Sequence, residues 1–129
     1  MRLAVDTIGH LIGDLVATRL KHRALGLAAV QVGMPLRVVA LSPVEFGGCA
    51  IVINPEIVEA SDKFVDGVEG CLSIERGTKT FQVRRPKVVT VRFIDRNGTE
   101  REHVAKGIGA RLIQHEIDHL DGRLISDPR

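Results

Sequence analysis

Ile8, Leu11, Ile12, Leu15 and Val16 recur at helical spacing, and His10, Asp14, Thr18 and Lys21 fall opposite them. Residues 7–22 therefore read as an amphipathic helix capped by Asp6 or Thr7. The stretch RALGLAAVQVGMP at 23–35 follows, small and apolar around Gly26 and Gly33. RVVAL at 37–41 and CAIVINPEIVEA at 49–60 are β-branched runs broken by Pro43, Gly47, Gly48 and Pro55, which predicts short strands with loops. Val89, Val91 and Phe93 alternate with Thr90 and Arg92, and Asn97-Gly98 predicts a hairpin turn into a returning strand near residues 99–104. The last periodic element runs from about Gly107 to Leu120, with Gly122 placed to end it. There is no repeat, linker or low-complexity segment. Strands gathered around one late helix predict an α+β fold with antiparallel pairing, a single domain over residues 1–129.

Composition narrows the class. A chain of 129 residues that is 44% hydrophobic can bury an ordinary core without disulfide staples. The formal charge of +2 is too small for a general nucleic-acid surface. Cys49 and Cys71 are the only cysteines, too sparse for the framework of a secreted domain, and read as thiols in a reducing compartment. No cationic leader precedes an apolar run, and no stretch approaches the length needed to cross a bilayer. The expectation is a cytoplasmic protein with neither membrane nor nucleic acid as partner.

The late helix carries the candidate chemistry. Ile108, Leu112, His115 and His119 share one face, so the histidines point where the apolar side chains point. Two neutral imidazoles one turn apart can ligate a divalent cation, with Glu116, about a hundred degrees around, reaching a water beside it. Chance alone would produce this HExxH spacing on the order of one time in a hundred. The competing reading is a pair of ordinary hydrogen-bonded histidines. A catalytic metal commonly takes three protein ligands, so a third is needed. His10, His22, His103, the carboxylates, Cys49 and Cys71 are all candidates, and spacing does not choose among them. Cys71, in VEGCLSIERG, could equally be a buried free thiol.

Taken together, LGLAAVQ at 25–31, EGCLS at 69–73 and QHEIDHLDG at 114–122 resemble the three ordered motifs of the peptide deformylase family. The resemblance runs from the first helix almost to the C-terminus. It implies a peptide deformylase-like α+β fold, its antiparallel strands set around a central metal-binding helix. It also implies metal ligation by Cys71, His115 and His119, with ferrous iron as the usual ion and zinc, nickel or cobalt as replacements. The implied reaction removes the formyl group from the N-terminal methionine of nascent polypeptides. Metal-activated water is the nucleophile, Glu116 the general base and then acid, and the Gln31 amide and Leu72 backbone N–H steady the oxyanion. The peptide would lie as an added strand beside Leu25 and Gly70, with Gly26 and Gly70 allowing close backbone approach. Leu25, Glu69, Ile108 and Leu112 would line the methionine pocket, Ile108 and Leu112 being core positions on any reading. The family's glutamate at the place of Glu69 pairs with a downstream arginine, for which Arg76 is the natural candidate; Lys79, or no partner, are the alternatives.

The chain also departs from the family pattern. Ala24 stands where the first motif has glycine, which predicts strain or a narrowed groove if that position needs positive φ or close substrate approach. The usual N-terminal strand segment and long C-terminal helix are not seen, as in compact viral and divergent members, so a bacterial or bacterium-infecting viral context fits. The resemblance accordingly does not extend to ribosome docking. Ala24 and the unusual loop after Ser73 leave open a hydrolase of different acyl or peptide preference. A noncatalytic peptide-binding protein is a further alternative, against which stands the retention of Gln31, Cys71, Glu116 and both histidines.

Overall fold

A computed structural model describes residues 5–71 and 79–127. Helix α1, Val5–Lys21, begins before the predicted cap, so Asp6 and Thr7 lie inside its first turn. Its stripe buries Ile12 and Leu15 against Leu27, Ala29, Ala40 and Ile51. The chain leaves α1 through Arg23 at φ 53, one of two described non-glycine residues with positive φ. Ala24 is not the other, so its position does not call for positive φ.

Strands β1 (Gly26–Ala28), β2 (Val38–Leu41) and β3 (Ile51–Ala60) follow, with a short 3-10 turn at Ala29–Val32 and another at Pro43–Glu45. Then come β4 (Phe64–Gly70), β5 (Thr80–Pro86), β6 (Val88–Ile94), β7 (Glu100–Lys106) and helix α2 (Gly107–Leu120). The described strands form a five-stranded sheet, β1-β2-β3-β6-β7, and a two-stranded ribbon, β4-β5. All pairings are antiparallel. Pro55 does not break its strand as the sequence led us to expect. Asn54 at φ 50 and a register shift between Ile53 and Glu56 form a bulge, where a residue without an N–H is tolerated. Asn97-Gly98 turns the chain as predicted: Gly98 takes φ 83 and the Asp95 carboxylate accepts from the backbone N–H groups of Asn97 and Thr99.

Helix α2 has its predicted bounds and drives Ala110, Ile113 and Ile117 into a core with Phe46, Val52, Val91 and Phe93. Gly122, at φ 78, donates to the His119 carbonyl while Arg123 N–H donates to that of Asp118, which closes the helix as a Schellman motif. At the other end, a Cβ on Gly109 would run into the backbone carbonyl oxygen of Glu45. Alanine in a helix ordinarily gains about 1 kcal/mol over glycine. Overpacking against rigid backbone costs about 1–3 kcal/mol, so Gly109→Ala is expected to lower the urea midpoint. A midpoint equal to or above wild type would show that this turn can move aside.

Candidate metal centre

Two elements meet at the centre. The turn-to-turn spacing of α2 brings the His115 and His119 rings to 4.7 Å between centroids, and the end of β4 delivers Cys71 between them. One ligating atom from each of the three lies within 4.8 Å of the other two, and all three side chains are buried. Cys71 Sγ sits 3.1 Å from His119 Nε2. A thiolate and two imidazoles converging at this spacing suit a late divalent metal.

Electrostatics around the triad point the same way. His115 Nδ1 lies 2.7 Å from Glu69 Oε1, which leaves its other nitrogen for the triad. Burial lowers the His115 pKa, yet contacts with Cys71 and Glu69 and the charge of Glu116 override it and push it up to about 9. Burial alone would raise the pKa of Glu69, but hydrogen bonds from Arg85 and His115, with the Arg85 charge, hold it at about 2. Arg85 grips it in bidentate fashion, Nε to Oε2 at 2.6 Å and Nη2 to Oε1 at 2.8 Å, and Arg111 Nη1 adds a third bond at 2.6 Å. Arg85 also donates to Asp118 of α2 at 2.9 Å. The Glu69 partner is thus supplied by β5 and α2. Arg76 lies outside the described residues, and Lys79 instead stands over the Phe81 ring.

Glu116 is buried on the other side of the triad. Burial pushes its pKa up to about 7, against the pull of His115 and His119. Its Oε1 has no hydrogen-bond partner among the described residues and lies 3.9 Å from His119 Nε2. Its Oε2 rests against Gly26, where a Cβ would come within 2.6 Å. What crowds Gly26 is therefore Glu116, together with Leu112. Gln31, in the 3-10 turn after β1, accepts from the Ala28 N–H at 2.8 Å through Oε1 and turns Nε2 towards Cys71 Sγ, 3.5 Å away.

A cleft of about 790 Å³ opens over this group. Leu25, Gly26, Gln31, Glu69, Gly70, Cys71, Ile108, Leu112, His115 and Glu116, all singled out from the sequence, line it. His119 lies behind them, in contact with Cys71. Leu72 is outside the described residues. Ile108 is not a core residue: it is 59% exposed at the cleft, as Leu25 is at 48%. Leu112 is half-buried there. Apolar groups at an open cleft await a ligand to cover them. Arg85, Arg111 and Asp118 were missed from the sequence. Arg111 had a signal, since it falls four residues before His115 on the same inward face, where a guanidinium needs a carboxylate.

The polypeptide deformylase family model matches residues 2–129. The peptide deformylase of Finegoldia magna is 38% identical over 95% of this chain and 74% of its own length. That of a Bradyrhizobium species is 43% identical over 93% and 71%. Among solved structures, a probable peptide deformylase from Synechococcus phage S-SSM7 superposes with a TM-score of 0.84 at 30% identity, covering 97% of this chain and 85% of that one. The actinonin-bound enzyme of Acinetobacter baumannii gives 0.82 at 36%, covering 92% and 76%. With the Cys-His-His cluster, the buried glutamate and the cleft at the positions its motifs predict, the chain belongs to the polypeptide deformylase family.

Proposed function

We propose that this protein hydrolyses the N-formyl group of formylmethionyl nascent peptides, with Cys71, His115 and His119 holding the metal and Glu116 transferring the proton. The observation that carries this reading is the Glu116 carboxylate, buried beside the triad with no hydrogen-bond partner for Oε1 among the described residues and a pKa pushed up to about 7. A core without reactive purpose seldom retains such a group. Held by Cys71, His115 and His119, a divalent ion would supply a Lewis acid for the formyl carbonyl and make water more acidic. Ferrous iron is the ion we assign natively, with nickel, cobalt or zinc able to replace it.

Glu116 takes a proton from water as the water oxygen adds to the formyl carbon. The carbon–nitrogen bond then breaks, Glu116 returns the proton to the amine, and formate and a free N-terminus leave. The Gln31 amide, oriented by the Ala28 N–H, donates to the developing oxyanion, with the Leu72 backbone N–H as the second donor. Glu69 lines the cleft, but its carboxylate is taken up by Arg85, Arg111 and His115, so its part is to orient His115. Leu25, Ile108 and Leu112 cover the methionine side chain. β1 pairs only with β2 and β4 only with β5 among the described residues, and both border the cleft. Their free edges, at Gly26 and Gly70, suit an extended peptide added as a strand.

Protein purified without oxygen and loaded with ferrous iron or nickel is expected to release formate from formyl-Met-Ala-Ser, to stop on chelation and to recover on metal addition. Acetate release from acetyl-Met-Ala-Ser in preference would move the assignment to another acyl group. No turnover of either by folded, metal-loaded protein would point to peptide binding without catalysis.

A further inference from the structure

We propose that Arg111 is a positioning residue for the Cys71, His115 and His119 triad, clamping the ribbon that carries Cys71 onto the helix that carries both histidines; this rests on the metal reading above. The triad is divided between two elements that share no strand pairing. The β4–β5 ribbon pairs only within itself, and no main-chain hydrogen bond joins it to α2 among the described residues. Where Cys71 stands relative to the histidines therefore depends on side chains that cross from one element to the other.

Arg111 crosses most completely. From α2 its Nη2 donates to the Val65 carbonyl on β4 at 2.7 Å, and its Nη1 donates to the Val83 carbonyl on β5 at 2.8 Å and to Glu69 at 2.6 Å. One guanidinium thus holds both strands and the carboxylate that orients His115. The ribbon is shaped to receive it. Val83 pairs with Gly67, and a Cβ on Gly67 would stand 2.7 Å from the Arg111 Cζ. The strand has no side chain where the guanidinium lies flat across it. Lysine, with a single ammonium on a flexible stem, cannot reproduce this planar fork. Arg111 itself is not among the ligating side chains, so its effect on the metal passes through Glu69 and through the placing of Cys71.

The test uses the full chain and Co²⁺ as the probe, with affinity measured by chelator competition and the thiolate-to-cobalt charge-transfer band recorded on the same samples. Wild type is expected to bind and show the band; its absence would overturn the metal reading itself. Arg111→Met is expected to weaken Co²⁺ binding about 10- to 100-fold and to reduce the band per bound cobalt, as groups that support a ligand commonly do. Arg111→Lys should recover part of both. Gly67→Ala leaves the arginine in place and pushes its head group aside, so it should weaken binding in the same direction. A clamp that served only stability would lower the melting temperature and leave affinity and band unchanged. Wild-type affinity and band in both Arg111→Met and Gly67→Ala would overturn the proposal, and if Arg111→Met does not fold, the same two readings on Gly67→Ala decide it.

Discussion

Replacing Glu116 by glutamine is expected to reduce kcat for formate release by about 10²–10⁴-fold, the range general acid–base catalysis supplies, while the metal stays bound. Glutamine has the shape of glutamate, so it fits over Gly26, where bulk is limited by the close approach of this side chain. It loses only the capacity to take and return a proton. Cys71, His115 and His119 are untouched, and KM should change much less than kcat, because an interaction made only in the transition state is removed. The check is kcat and KM measured on samples whose metal content is determined alongside. Turnover within tenfold of wild type at full metal loading would mean that another group moves the proton.

Glu69→Ala is expected to be the most damaging single change to stability. It strips a buried carboxylate from two guanidinium groups and an imidazole at once. Breaking a buried ion pair by removing one partner costs about 3–5 kcal/mol, out of a total of about 5–15 kcal/mol for a domain. Asp118 still holds Arg85, which places the cost towards the lower end. Urea unfolding with and without metal tests this, and the loss should be larger in the loaded protein because His115 loses its orienting partner. A change below about 1 kcal/mol, the level of exposed pairs, would show that water reaches the network and replaces the carboxylate.

Much of the fold could be read from apolar periodicity, and the reasons for success and failure are local. Helix α2 was bounded correctly because its pattern, its turn glycine and its C-terminal stop all agree. The Asn97-Gly98 hairpin was readable because the turn chemistry lies within five residues. The β4–β5 ribbon was not anticipated. FVDGVEG does not alternate cleanly, and TFQVRRP alternates only as far as Val83, because the next buried position on that face is Arg85, which carries the ion network in place of an apolar side chain. Pro55 misled because its strand bulges where the missing N–H would have mattered. At the site, resemblance to a family singled out Cys71 from several possible ligands, where spacing could not. Arg85, sixteen residues from Glu69 and on another strand, leaves no local trace in the sequence. A long-range ion pair is a property of the assembled fold. Ile108 reads as core from the sequence because hydrophobicity does not tell a residue buried by its own chain from one left open at a cleft.

The free edges of β1 and β4 also bear on how the protein behaves towards copies of itself. An unpaired strand edge is a template for edge-to-edge association, and many proteins blunt such edges with lysine, proline or a covering loop. Here each edge is short, three residues in β1 and seven in β4, and both open onto the cleft at Gly26 and Gly70. The backbone groups that would take up a peptide at Gly26 and Gly70 are thus equally open to a strand from a second copy of the chain, which a peptide seated in the cleft would displace.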